Sequence, residues 1–181
     1  MISLAVLFWM LVVLFAIIGF NRGWAKEMLV SFSVILSLFI LNVLERNNLP
    51  VISNLVAIAA QDPKPLFWLR TILVIALVFF GYQSPNISKL AATNRFIREK
   101  LQDSLLGLFL GALNGYLVVG TLWHFLHVAN YPFPDVIAAP TGTFLDAAEP
   151  LLALLPPTWL QGVTVYLAVA ICFAFVLVVL I

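Results

Sequence analysis

GFNRGWAKEM, residues 19–28, places Arg22, Lys26 and Glu27 between two stretches that carry no charge, residues 1–21 and 28–44. A soluble chain spreads its charges over its surface. Here they are confined to a short break between long apolar runs. Two readings follow. The ten residues are a turn between two membrane spans, or they are a polar site held against a membrane.

Composition fixes the solvent. Of 181 residues 64% are hydrophobic and 9% are charged, against about 25% charged in an ordinary globular protein. That charge cannot cover a soluble surface, so the chain falls in the membrane class. A net charge of +1 lacks the basic face of a nucleic-acid binder. The single cysteine, Cys172, lies in an apolar run and reads as a small packing residue.

A helix needs about 20 mostly apolar residues to cross the hydrocarbon core. Five runs qualify: residues 2–20, 28–44, 66–83, 105–128 and 160–181. Alternation of apolar and polar residues, the mark of a membrane β-barrel, is missing. The expected fold is therefore all-α and polytopic. Residues 1–128 form a four-span core, 129–159 an external proline-rich acidic loop with an interfacial helix, and 160–181 a fifth span. The first run has no basic n-region and no A-x-A cleavage pattern, so it reads as a retained span.

Lysine and arginine set the orientation. Loops one and three carry six basic residues: Arg22, Lys26, Lys89, Arg95, Arg98 and Lys100. Loops two and four carry two, Arg46 and Lys64. The N-terminus is therefore expected outside and the C-terminus in the cytoplasm. Trp68, Trp123 and Trp159 then fall at the outer interface, where indole rings favour the headgroup level. Arg70, just inside the third span, is expected to snorkel outward beside Trp68. Loop two contains VISNLVAIAA (51–60), too short to span and expected to be re-entrant or interfacial. In loop four Thr143 precedes Asp146 by three residues, a pattern like a helix N-terminus.

Span four begins DSLLGLFLGALNG, residues 103–115. Gly107, Gly111 and Gly115 recur every four residues and drift only about 80° around the helix. Such a stripe lets a second helix approach closely. The expected partner is a helix of the same chain, with Ser33 and Ser37 of span two as small counterparts, or a second copy. Asn114 borders the stripe, placed to hydrogen-bond across it. Gly120 falls on a different face. The alternative to packing is a glycine-lined pore or ligand groove.

Two motifs carry a resemblance. RGWAKE (22–27) resembles the R-G-x-x-(K/R)-E turn between the first two spans of the colicin V production protein (CvpA) family. DSLLGLFLGALNG resembles that family's D-R-x-L-G-x-x-x-G-x-x-x-G segment at the start of its last core span. The resemblance covers roughly residues 5–128. The chain differs in having no acid in residues 1–20, Ser104 where Arg is usual, and Asn114 where a basic residue often stands. The fifth span and acidic loop lie beyond the four-span core. The resemblance implies a bacterial cytoplasmic-membrane protein with a role in envelope maintenance or secretion, acting through other membrane proteins or self-association. It implies Arg22, Gly23, Lys26, Glu27, Asp103, Gly107, Gly111, Asn114 and Gly115 as the motif residues.

From the residues themselves, Glu27 sits where a helix dipole favours an acid, and Arg22 and Lys26 anchor the hairpin to the inner leaflet. His124 and His127, spaced i, i+3, are the candidate ligands for a metal, haem or pigment, set against ordinary interfacial histidines. No catalytic motif such as HExxH or GxSxG occurs, and no enzyme or cofactor is expected. Two other functions stay open: a small channel or transporter component, and an accessory subunit of a pigment or haem complex. Against transport, the span interiors read as free of acids.

Overall fold

The structure is a computed structural model that describes residues 3–46, 50–83 and 97–180. It is all-α, a polytopic bundle with no strand among the described residues. In chain order the helices are α1 (Leu4–Arg22), α2 (Trp24–Arg46), α3 (Pro50–Ala59), α4 (Lys64–Tyr82), α5 (Ile97–Val128), α6 (Thr143–Leu154), α7 (Pro156–Trp159) and α8 (Val163–Leu180). Among the described residues α1, α2, α4 and α5 are long and apolar enough to cross a membrane, and α8 is a shorter apolar helix. Their outward faces are apolar: Met10 and Val13 on α1, Ile72 and Phe80 on α4, Phe109 on α5, Ile171 and Phe173 on α8 are all exposed. In water such faces would drive aggregation. They are compatible with contact to a lipid bilayer and with a multi-pass membrane protein.

α5 is the central element. α1 packs along it on one side and α2 on another, so α1 and α2 touch each other little beyond their shared turn. α4 and α8 pack on α2. The main core joins Val30, Val34, Leu38 and Leu41 of α2 to Val74 and Val78 of α4, Leu117, Val118 and Phe125 of α5, and Val165 of α8. A second core joins Ala5, Phe8 and Val12 of α1 to Trp123, Ala148 and Leu155. The bundle therefore has two ends. The turn end holds Gly23, Tyr82 and Asp103. The loop end holds the start of α1, the start of α4 and residues 129–162.

The glycine stripe is a close helix crossing, and its partner is α1 rather than α2. A Cβ on Gly111 would stand 2.9 Å from the Gly19 Cα, and one on Gly115 would stand 2.9 Å from the Val12 Cα. At Gly107 and Gly111 the contact is backbone on backbone, and at Gly115 the Phe15 side chain also packs on the glycine. Ser33 of α2 serves a different approach, against Gly81 of α4. Gly120 is no free face either. A Cβ there would lie 2.7 Å from the Pro156 Cδ.

The loop-four segment is more than a surface strap. Ala148, Leu155, Pro156 and Leu160 are buried, and α6 and α7 lean on α1 and α5. The Tyr116 hydroxyl donates to the Leu154 carbonyl. Thr143 is the first helical residue of α6; the cap is Gly142 at φ +56°, without a side-chain hydrogen bond. Residues 51–59 are helical as expected, within α3. Arg70 has a protein partner near that end: its Nε donates to Glu45 Oε1 at 2.8 Å. A partner carboxylate at the end of α2 outcompetes water for the guanidinium. Lys89 and Arg95, which carry part of the orientation reading, lie outside the described residues.

Candidate functional site

α1 is capped by Gly23, whose N–H closes the last turn on the Gly19 carbonyl at 2.9 Å. Gly23 then takes φ +83°, a conformation that side chains resist. A Cβ there would also meet Asp103 Oδ2 at 2.8 Å. α2 starts at the next residue, with its first N–H groups unpaired by any preceding turn. Asp103 of α5 supplies an acceptor: the Trp24 N–H donates to its Oδ1 at 3.3 Å. An acid at a helix N-terminus also complements the dipole. The cap comes from a residue far along the chain, so no local pattern signals it.

One turn into α2, Glu27 is fully buried, as is Asn114 of α5. Every polar atom of this pair is used. Arg22 Nη1 donates to Glu27 Oε1 at 2.7 Å. Asn114 Nδ2 donates to Glu27 Oε2 at 2.8 Å and to the Glu27 carbonyl at 2.9 Å. The Ser31 hydroxyl donates to Asn114 Oδ1 at 2.6 Å. An isolated carboxylate in a dry interior is prohibitively costly, and a paired, hydrogen-bonded one is tolerated.

Arg22 is the open edge of this network, with its side chain 19% exposed. Its Nη2 donates to the Tyr82 carbonyl at 3.1 Å, at the negative end of the α4 dipole. Its guanidinium lies 4.3 Å from the centroid of the Tyr82 ring, a cation–π distance. The Phe15 and Tyr82 rings meet edge-on at 6.2 Å and bring α1 against α4 at this end. One cation thus ties α1, α2 and α4 together, and Asn114 adds α5.

This corrects the expectation of a hairpin anchored to the inner leaflet by Arg22. The guanidinium turns inward, because a buried carboxylate and a helix C-terminus offer stronger partners than headgroups. The burial of Glu27 is unexpected: the span interiors read as free of acids, yet this first-turn residue of α2 is enclosed by the bundle. Lys26 is half-buried and joins no ion pair among the described residues. The structure therefore brings together Arg22, Gly23, Glu27, Asp103, Gly107, Gly111, Asn114 and Gly115, and leaves Lys26 aside.

Sequence reasoning missed Gly19, Ser31 and Tyr82. Gly19 and Gly23 are four residues apart, a small-x-x-x-small signal present in the opening stretch itself. Ser31 lies four residues after Glu27, on the same helix face. Tyr82 gave no signal, because its carbonyl and ring enter only through the tertiary fold.

The histidines stand apart from this site. His124 is half-buried beside Phe125, with ring centroids 6.3 Å apart. His127 is exposed, its Nδ1 3.5 Å from the Tyr131 hydroxyl. No group of three or more His, Cys, Asp or Glu able to hold a metal occurs among the described residues. In comparisons with known proteins the chain matches no family model, no curated protein and no solved structure.

Proposed function

We propose that the chain is a CvpA-like integral membrane protein of the bacterial cytoplasmic membrane, serving envelope maintenance or secretion through contacts with other membrane proteins. One observation supports this reading above the rest. The two stretches that carry the resemblance, 22–27 and 103–115, lie far apart in sequence yet meet in one set of contacts: buried Glu27 with Asn114, the Trp24 N–H with Asp103, Gly23 with Gly107. Motif residues that depend on one another physically are expected to occur together. The network is a rigid polar joint with one accessible cation, Arg22, suited to holding a docking surface in shape rather than to turning over a substrate. The test is deletion of the gene in its host, with envelope permeability to detergents and large antibiotics as the readout. Wild type restores the barrier and Glu27→Ala does not. A deletion strain with an unchanged envelope rejects the role.

The buried Glu27 also favours a second reading, a component of a proton or ion transporter. Ionisable groups inside a bundle mark ion pathways in many transporters. Liposomes holding the purified protein and an internal pH dye separate the two. Proton flux abolished by Glu27→Gln supports transport, and tight liposomes support the docking role.

A further inference from the structure

α1 and α4 meet at the turn end through Phe15 and Tyr82 and part toward the loop end. The gap between them is a groove of about 500 Å³, lined by Phe8 and Leu11 of α1, Trp68 and Thr71 of α4, Trp123 of α5, and Phe133. That volume lies in the range of about 300–1,000 Å³ typical of small-molecule sites. Along α1 the lining runs from Leu4 to Leu11, a depth of about 10 Å. Half of the hydrocarbon core is about 15 Å thick, so the groove follows most of one leaflet. Its walls are almost wholly apolar. The Thr71 side chain is an exception: its hydroxyl is buried with no hydrogen-bond partner.

The mouth is different in kind. Phe67, Trp68 and Phe133 form an aromatic collar with ring centroids 5.5–5.8 Å apart. Lys64 Nζ lies 5.9 Å from the centroid of the Phe133 ring. Lys64 is exposed, and its ammonium has no carboxylate partner among the described residues. One exposed acid stands beside it: Asp62 accepts the Lys64 backbone N–H at 3.0 Å. A mouth that carries one cation and one carboxylate has no net charge to favour a purely anionic headgroup. It complements a headgroup with a phosphate and an ammonium.

We propose that this groove is a binding site for one zwitterionic phospholipid. An acyl chain fills the cleft between α1 and α4. The phosphate pairs with Lys64 and the primary ammonium faces Asp62. Lipid in this position replaces the direct α1–α4 contact that the sequence does not build. The site is independent of the Glu27 network, which lies at the opposite end.

Trp123 reads the site directly. It lines the groove yet is only 5% exposed, whereas Trp9, Trp24, Trp68 and Trp159 are each at least 36% exposed and can be replaced by Phe without opening a core. The single-Trp protein is reconstituted in two kinds of vesicle. One is phosphatidylglycerol with a minority of phosphatidylethanolamine brominated on its acyl chains. The other is phosphatidylethanolamine with the same fraction of brominated phosphatidylglycerol. Both lipids offer a phosphate to Lys64 and only phosphatidylethanolamine offers an ammonium to Asp62, so brominated phosphatidylethanolamine is expected to quench Trp123 at roughly threefold lower mole fraction, the worth of one exposed ion pair. Asp62→Asn, a change at an exposed residue that keeps an acceptor for the Lys64 backbone N–H, removes the preference, and Lys64→Gln weakens quenching by both lipids. Leu7→Phe, which fills the groove from its exposed α1 wall, reduces quenching by both lipids. Equal quenching by the two lipids, or a preference for phosphatidylglycerol, overturns the headgroup assignment and with it the proposal. Absence of quenching by either lipid also overturns it and assigns the groove to a protein segment or a second copy of the chain.

Discussion

Asn114 of α5 holds the buried carboxylate of Glu27 and the backbone oxygen of the same residue with one amide group, at 2.8 and 2.9 Å. The amide oxygen is in turn held by Ser31. α2 and α5 are therefore joined by a small, fully satisfied polar knot inside an otherwise apolar contact. Each member has a different expected weight.

Asn114→Leu removes two hydrogen bonds to Glu27, leaving its buried Oε2 without a donor, and leaves the Ser31 hydroxyl only its longer bond to the Glu27 carbonyl. Loss of about 1–3 kcal/mol is expected, because a buried polar group is left unpaired. Ser31→Ala removes neutral bonds only and leaves Asn114 Oδ1 without its donor; with no charged group affected it should cost less than Asn114→Leu, about 1 kcal/mol. Thermal unfolding in mild detergent, followed by circular dichroism, ranks the two. Equal effects would mean that Asn114 is held by packing alone.

Arg22→Gln leaves Glu27 buried without its cation. Breaking a buried pair from one side costs about 3–5 kcal/mol, and the partial exposure of Arg22 places this case near the lower figure. Replacing both, Arg22→Gln with Glu27→Gln, should recover part of the loss. Midpoints of thermal unfolding for the three variants check this. A double variant no better than Arg22→Gln would show that the two residues act separately.

Gly111→Leu forces α1 and α5 apart at Gly19 and should lower stability by about 1–3 kcal/mol or more. Gly19→Leu should match it, since the same backbones collide. Gly120→Leu is expected to be harmful too, through Pro156. The appropriate control is Phe109→Leu at a 68% exposed position, with a change within about 0.5 kcal/mol. Thermal aggregation in detergent distinguishes them. A harmless Gly19→Leu would remove α1 as the stripe's partner.

Orientation is open to direct measurement. Reporter fusions at Lys89 and at the C-terminus are expected to read cytoplasmic, and one at Asp146 external. The contacts agree with alternation, since Phe39 meets Tyr166 and Phe32 meets Phe175, which runs α8 antiparallel to α2. A cytoplasmic reading at Asp146 would reverse the arrangement.

Local chemistry explains what was legible in the sequence. The apolar runs must be helices, because a spanning backbone satisfies its own hydrogen bonds. The four-residue glycine period dictates a close crossing whatever the partner. The partner itself was not legible. Ser33 and Ser37 of α2 offered small residues at a suitable spacing, but Gly19 and Gly23 offer smaller ones. Which pair is used depends on where the Gly23 turn sends α1. The burial of Glu27 was hidden for the same reason. In sequence it adjoins Lys26 and faces a turn, and only the arrival of Asn114 and Arg22 from other helices makes an interior position tolerable. Arg70 looked solitary because Glu45 lies across a loop.

The central claim is that the turn at 22–27 and the stripe at 103–115 form one energetic unit. A double-mutant cycle between Glu27→Gln and Asn114→Leu, read by reversible unfolding in detergent, tests it most directly. A coupling of about 1–3 kcal/mol is expected for two residues in one hydrogen-bond network; single effects that add to within about 0.5 kcal/mol would contradict it.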